Sequence, residues 1–230
     1  MLEQLEQSCE MSIMAARRGR LTEERARRLL NGDLLRHVAP HLPEAHVSKG
    51  VAMSRHLFTR RASWAVFTTE WMDSLARRIS ALLPGVASPR VLEVCAGLNT
   101  LAAPMRSRGL DWISSDIKVD PDAVCPPLCC DAASAVASVG PALVFWAWWS
   151  QGSSDDAQVA KLCCEQGIPI VFVGEARGGI TGSVQLWDGP WAITPLADFS
   201  LCCDEPFHDV PCWPGFSDRT WLLTANSETR

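Results

Sequence analysis

The chain has 230 residues and a mass of 25.2 kDa, which at roughly 100 to 200 residues per domain admits one full α/β domain with an appended segment and excludes two large independent ones. With 47% hydrophobic and 20% charged residues and a mean hydropathy of +0.04, it has the means to bury a core and does not read as a disordered chain. The net charge of −5 hides an asymmetry: residues 1–90 carry 14 Lys/Arg against 9 Asp/Glu, net +5, and residues 91–230 carry 7 against 17, net −10. Glu23, Glu24, Glu44 and Glu70 dilute the basic part, so it reads as a solvated helical face in preference to a nucleic-acid surface.

The longest apolar run, Pro141 to Trp149, falls short of the ~20 residues a bilayer span requires, so no membrane segment is expected. Near the start, Glu3, Glu6 and Glu10 precede Arg17, Arg18 and Arg20 without a following hydrophobic block, which points to a cytoplasmic or nuclear protein and not a secreted one. The ten cysteines include the adjacent pairs Cys129-Cys130, Cys163-Cys164 and Cys202-Cys203. Adjacent cysteines do not form the spaced knuckles that aim two sulfurs at one zinc ion, so reduced thiols are expected and no metal site.

In chain order, the first 60 residues read as short helices around turns; Thr22 caps a helix through Leu30, and Asn31-Gly32 ends it. A stronger helix spans Thr69 to Leu83, where Met72, Leu75, Ala76, Ile79, Leu82 and Leu83 recur at three and four residues before Pro84-Gly85 stops it. After Ser88-Pro89 the pattern becomes short hydrophobic runs alternating with helical stretches, as in a parallel sheet with crossover helices. Strands are predicted over Arg90–Val94, Asp111–Ser115, Ala142–Trp146 and Ile168–Val173. Helices are predicted over Thr100–Arg108, Ala132–Val139 and Asp155–Gln166, with a late strand pair over Ala192–Leu201 and Thr220–Ala225. The expected fold is an open, mostly parallel, Rossmann-like α/β sheet with helices on both faces, preceded by a helical extension over residues 1–60.

The informative segment is Val91-Leu92-Glu93-Val94-Cys95-Ala96-Gly97-Leu98-Asn99-Thr100, followed by a helix, a second strand and Asp116. A strand ending in an acid and a tight small-residue loop put that loop at the carboxyl edge of the sheet, where a nucleotide-like ligand approaches the backbone. Asp116, at the end of the next strand, is expected to accept hydrogen bonds from ribose hydroxyls. The Gly-x-Gly-x-x-Gly fingerprint and the Walker spacing are both absent, and no Lys or Arg lies between Val91 and Met105. S-adenosyl-L-methionine suits such a site, since it has no phosphate but offers a ribose diol, an amino group and a sulfonium cation. Cys95 and Ala96 are small enough for close approach, and Asn99 tolerates the left-handed backbone region.

These residues resemble the class I S-adenosylmethionine-dependent methyltransferases, whose first motif reads (Glu/Asp)-x-Gly-x-Gly-x-Gly and whose second strand ends in an acid. More narrowly, the chain resembles a methyltransferase-like family with further landmarks, covering roughly residues 54–225. They are matched by Ser63-Trp64-Ala65-Val66-Phe67, by Trp146-Ala147-Trp148 in place of Trp-Pro-Pro, by Val173 to Gly182 with Glu175-Ala176-Arg177-Gly178-Gly179, and by Trp213-Pro214-Gly215-Phe216-Ser217-Asp218-Arg219. The resemblance implies a methyltransferase-like domain over 61–230, with S-adenosyl-L-methionine held by Glu93, Cys95, Ala96, Gly97, Asn99, Asp116 and Asp131. It also implies an unidentified methyl acceptor near Trp64, Trp148, Trp149 and Glu175. Glu175 has a second reading as the partner of Arg177 in an ion pair holding its loop, and Asp131 a second reading as a helix N-cap.

Two departures divide the functional reading. Cys95 and Asn99 stand where the first and third motif glycines would be, and Ala147 and Trp148 replace the Pro-Pro turn that holds a target nitrogen in amino-methylating enzymes. The first reading is a methyltransferase; the alternative is a catalytically degenerate methyltransferase fold acting as a binding or interaction module.

Overall fold

The computed structural model describes residues 2–198 and 206–226. Its N-terminal part is helical: α1 (Leu2–Arg17), α2 (Glu23–Leu30), α3 (Asp33–Val38) and α4 (Glu44–Arg61). Thr22 caps α2, its hydroxyl accepting from the Arg25 amide at 3.3 Å, and so satisfies one of the amides a helix start leaves unpaired. α1 and α4 are not short, as expected, but run 16 and 18 residues. What α4 buries explains why its period was hidden: Val47, Gly50, Ser54 and Phe58 form a stripe in which two members are small and weakly hydrophobic. Cys9, Ile13, Leu21, Leu29 and Phe58 close into a core of their own, sealed from the far side by Val66 and Trp213.

The α/β part begins with α5 (Thr69–Leu82), capped by Thr68 through the Trp71 amide. It continues with β1 (Arg90–Glu93), α6 (Ala102–Arg106), β2 (Asp111–Asp116), β3 (Leu128–Cys129), α7 (Ala132–Val139), β4 (Leu143–Ala147), α8 (Asp155–Gln166), β5 (Ile170–Gly174), α9 (Val184–Trp187), β6 (Trp191–Pro195) and β7 (Arg219–Ala225). The strands form one seven-stranded sheet in the order β3-β2-β1-β4-β5-β7-β6. β1 to β5 pair in parallel, while β7 lies antiparallel between β5 and β6. Most element ends fall within two residues of their expected positions. The exception is the late strand predicted over 192–201, which stops at Pro195, passes into a 3-10 turn over Leu196–Asp198, and has its remaining residues outside the described ones.

Both faces of the sheet are covered, as a parallel sheet requires. Phe145 packs with Trp71, Trp112 and Val171 on one face, and its neighbour Trp146 packs with Phe172, Val159 and Cys163 on the other. Successive strand side chains point to opposite faces, which is how Trp146, 1% exposed, comes to fill core. From β1 the chain winds outward to β2 and β3, then returns to β4 on the opposite side of β1. That reversal opens a crevice at the carboxyl ends of β1 and β4. Among the described residues, no helix is long and apolar enough to cross a membrane.

Candidate cofactor cleft

The loop after β1 turns on three left-handed residues: Cys95 at φ 56°, Gly97 at φ 52° and Asn99 at φ 51°. These are the three places where the resemblance calls for glycine, so the backbone shape persists where two of the glycines do not. A non-glycine residue in this region costs roughly 1–2 kcal/mol, less for Asn. Asn99 offsets that cost with two buried bonds, its Nδ2 donating to the Cys125 carbonyl at 2.7 Å and its Oδ1 accepting from Ser114 Oγ at 2.9 Å. Its side chain is 1% exposed and faces into the protein, so it shapes the loop from beneath. Gly97 is different. A Cβ built there would meet nothing within 4 Å, so the glycine serves no packing contact and the space above it is open.

Asp116, at the end of β2, holds this loop: Oδ2 accepts from the Gly97 amide at 2.8 Å and Oδ1 from the Lys118 amide at 3.0 Å. A carboxylate has about four acceptor sites, so two backbone donors leave it able to take hydroxyl donors as well. Two cavities flank the loop. One, of about 200 Å³, is lined by Arg60, Trp64, Glu93, Ala96, Gly97 and Asp120 among others. The other, of about 350 Å³, is lined by Asp116, Cys130, Asp131, Trp149, Ser153 and Asp155 among others. Cys95 lines both and so forms the ridge between them. Together they occupy the switch-point crevice, with the volume of a small-molecule site. A larger cavity of about 690 Å³, lined by α8 and β6 residues such as Lys161, Cys164 and Trp191, contains no residue of this loop.

The cleft is acidic. Glu93 is buried, and its Oε2 accepts from Trp112 Nε1 at 2.7 Å and, at 3.1 Å, from Ser114 Oγ, whose single proton it shares with Asn99 Oδ1. Desolvation pushes its carboxyl up to about 7; the two donors oppose that shift and nearby Asp116 reinforces it. Sequence reasoning missed both donors. The pattern that carries them is the two-residue period of β2, which puts Trp112 and Ser114 on one side, with Ser114 in register with Glu93. The Cys95 thiol is pushed up to about 12, first by desolvation and then by Asp116, Asp155, Glu93 and Asp156. It is a neutral group facing the cleft and no nucleophile at neutral pH. Asp131 is the N-cap of α7, with Oδ1 accepting from the Ser134 amide at 2.9 Å and Oδ2 from Ser134 Oγ at 2.6 Å, bonds that hold its carboxyl below the usual range. The structure thus shows the helix N-cap, and Asp131 also lines the second cavity.

The tryptophans separate. Trp149, 8% exposed, packs edge-on against Trp146 and lines the second cavity together with Asp116. Trp64, 54% exposed, lines the first cavity and stacks on Trp148 with ring centroids 5.5 Å apart and planes 21° apart. Trp148 is itself left-handed, φ 58°, and its Nε1 donates to Asp218 Oδ2 at 3.0 Å. Glu175 does not pair with Arg177. Its Oε2 accepts from the Ile180 amide at 2.8 Å and its Oε1 from the Ser217 amide at 3.1 Å, while Arg177 reaches Asp188 at 2.6 Å. One Glu175 oxygen is taken by the Gly-rich turn's own Ile180 amide and the other by the amide of Ser217, 42 residues on. Among the described residues, no group of three His, Cys, Asp or Glu is placed to hold a metal ion.

A Rossmann-like sheet in the order 3-2-1-4-5-7-6, with an antiparallel seventh strand and an acid-flanked loop at the β1 edge, defines the class I methyltransferase-like fold. No protein-family model matches the sequence, and no curated protein matches it. Solved structures similar to it include magnesium protoporphyrin IX methyltransferase from Synechocystis PCC 6803 with bound SAM, at 11% identity over 67% of this chain and 78% of that one, TM-score 0.40. Another is the plantazolicin methyltransferase BpumL in complex with SAH, at 9% identity over 87% and 97% of the two chains, TM-score 0.43. A third is the fibrillarin/Nop5p complex, at 13% identity over 68% and 83%, TM-score 0.37. At such values the likeness bears on neither activity nor substrate, and the fold rests on the strand order.

Proposed function

We propose that the cleft at the β1 edge binds S-adenosyl-L-methionine and that the protein transfers its methyl group to an acceptor entering past Trp64. The observation that carries this reading is the unobstructed space over Gly97, between two cavities whose walls carry Glu93, Asp116, Asp120, Asp131 and Asp155. A plugged or cationic loop would oppose it; this one is open and negative, fitted to a cation that lacks phosphate. When bound, the cofactor supplies a methyl group already activated on a sulfonium centre. The chain's own residues then bind and orient. Asp116 has acceptor capacity for a ribose diol beside the Gly97 amide it already holds, and Glu93 faces the smaller cavity as the acceptor for an ammonium group. Trp149 gives the larger cavity an apolar wall, and the left-handed Cys95 keeps the ridge between the two cavities narrow.

Calorimetric titration with S-adenosyl-L-methionine and with its demethylated product tests the reading directly. Binding is expected for both, and its loss in a folded Asp116→Ala variant locates the site. No heat and no thermal shift at millimolar ligand overturns it. The second reading, a degenerate fold acting through its surface, is favoured by Trp148, which stacks on Trp64 where a Pro-Pro turn would present a carbonyl to a target nitrogen. Cofactor binding without transfer to any fraction of a cell extract is the result that reading requires.

A further inference from the structure

Trp64, Trp148 and Phe216 form a bent chain of rings in which the two indoles stack, Phe216 meets Trp148 at a 47° tilt, and Trp64 of the three lines the smaller cavity. Trp148 lies 5.5 Å from Trp64 and 5.6 Å from Phe216, centroid to centroid. Arg55 lies beside this chain of rings and closes neither end: its guanidinium sits 4.1 Å from the Phe216 centroid and about 6 Å from each of the two indoles. The Trp64 end is open, since that indole keeps 54% of its surface exposed while lining the cavity that holds Glu93 and Gly97. Holding these rings costs backbone strain at Trp148, whose left-handed φ is an outlier for so bulky a residue. The Asp218 bond to its indole and its own amide bond to the Val173 carbonyl at 2.8 Å fix it there. A strained residue over-determined by its surroundings and facing a ligand cleft is a mark of function. Four residues before Trp64, at the end of α4, Arg60 lines the same cavity, exposed; among the described residues it carries the sole positive charge on that wall and makes no ion pair or side-chain hydrogen bond.

We infer that the open face of Trp64 is a subsite for a planar aromatic or heteroaromatic ring bearing an anionic substituent, with the ring extending the indole column and the anion meeting Arg60. An indole already paired on one face accepts a further ring on the other with little loss of freedom, and the quadrupoles of an offset column favour continuation. The anion places its charge at Arg60, the one cation on a wall otherwise made acidic by Glu93 and Asp120. Taking this ring as the methyl acceptor rests on the methyltransferase reading; the existence of the subsite does not.

The test therefore leaves the cofactor out. Adenosine monophosphate and hydroxybenzoate are titrated against their uncharged counterparts, adenosine and phenol, into the full chain at low salt. Each anionic ring that fits is expected to bind at least ~10-fold tighter than its neutral counterpart, and Arg60→Ala to erase that difference. Trp64→Ala is expected to weaken every ring ~10-fold or more, and Trp64→Phe to restore most of the loss. Because Trp64 is half exposed, both variants are expected to melt as the wild type does, which separates a lost subsite from a lost fold. Preference for the nucleotide or for the carboxylate identifies which source of the shared chemistry the site accepts. Failure of all four rings to bind at millimolar concentration, or wild-type affinity in Trp64→Ala, overturns the inference. Cofactor titration runs separately, so ring binding in a protein that fails to bind the cofactor overturns only the proposed function, and cofactor binding in a protein that binds none of the rings overturns only the subsite.

Discussion

Two glycine-bearing loops leave the same carboxyl edge of the sheet, each just after an acid that closes its strand, and they are built for opposite ends. After β5, Glu175 gives both oxygens to backbone amides and its own amide donates to Thr181 Oγ1 at 2.7 Å. A Cβ at Gly174 would run into Thr181 and one at Gly179 into Glu175, so those glycines exist to let the loop close on itself. After β1, a Cβ at Gly97 would meet nothing, and Glu93 is bonded through one oxygen to two side chains and faces a cavity. Open space alone does not separate the two loops, since a Cβ at Gly178 after β5 would also meet nothing and that glycine is there for its left-handed φ of 88°; what separates them is where the acid's oxygens go. The acid whose acceptors are spent on its own backbone is structural, and the acid with capacity left is available for chemistry.

The largest test of that contrast is Glu175→Ala. It removes the acceptor of the Ile180 and Ser217 amides, and at about 1.5–3 kcal/mol for a hydrogen bond to a charged group the variant is expected to lose about 4 kcal/mol in urea unfolding, with whatever folds retaining cofactor affinity near wild type. A loss of cofactor binding larger than the loss of stability would erase the distinction between the two loops.

Glu93→Gln is the opposite case. The folded carboxyl is raised from 4.5 to about 7, so the folded state binds more protons than the unfolded state between those values, and this group's contribution to stability falls as pH climbs through 7. Above that pH the variant is expected to be more stable than the wild type by about 3 kcal/mol, and the two converge as pH drops toward 4.5. Over the same window, cofactor affinity of the wild type is expected to rise with pH, because the acid must ionise to meet a cation; in the variant it is weak and flat. Thermal melts and calorimetry at a series of pH values read both slopes. Stability that does not increase in Glu93→Gln at pH 8 would mean the carboxyl is not strained by burial at all.

Legibility in the sequence followed the range of the interaction. The strand-acid-loop segment, the positions of β1, β2, β4 and β5 and the capping of α2 by Thr22 were readable because each is set by residues within a few positions of one another, whereas the two-residue β3 was not. Glu93 and Asp116 were singled out for the same reason. The partners of Glu93 were not, because Trp112 and Ser114 reach it only through strand pairing. The fate of Glu175 was misread as a pair with Arg177 because nothing local says that Ser217, 42 residues on, will bring an amide to it. α4 was hidden by its small buried residues, and Arg60 entered the cleft with it. Asn99 illustrates the same limit. Its tolerance of a positive φ is a property of the residue, whereas its bonds to Ser114 and Cys125 depend on the fold. Asn99→Ala is expected to cost about 2 kcal/mol by urea unfolding, from those two bonds and a poorer left-handed residue.

The smallest effect is expected at the ridge itself. Cys95 holds φ 56°, and its thiol, raised to about 12 by desolvation and the surrounding carboxylates, contributes no charge to the cleft at neutral pH. Replacing it with the glycine the resemblance calls for removes left-handed strain of about 1–2 kcal/mol but frees the unfolded chain by about 0.5–1 kcal/mol, so Cys95→Gly is expected to stabilise by about 0–1.5 kcal/mol. The cleft responds more than the fold: without a side chain on the ridge the two cavities merge, and S-adenosyl-L-methionine is expected to bind a few-fold tighter than in the wild type. If calorimetry instead finds weaker binding with stability unchanged, the thiol itself contacts the ligand. The residue would then be a replacement selected for this cleft and not a tolerated loss of glycine.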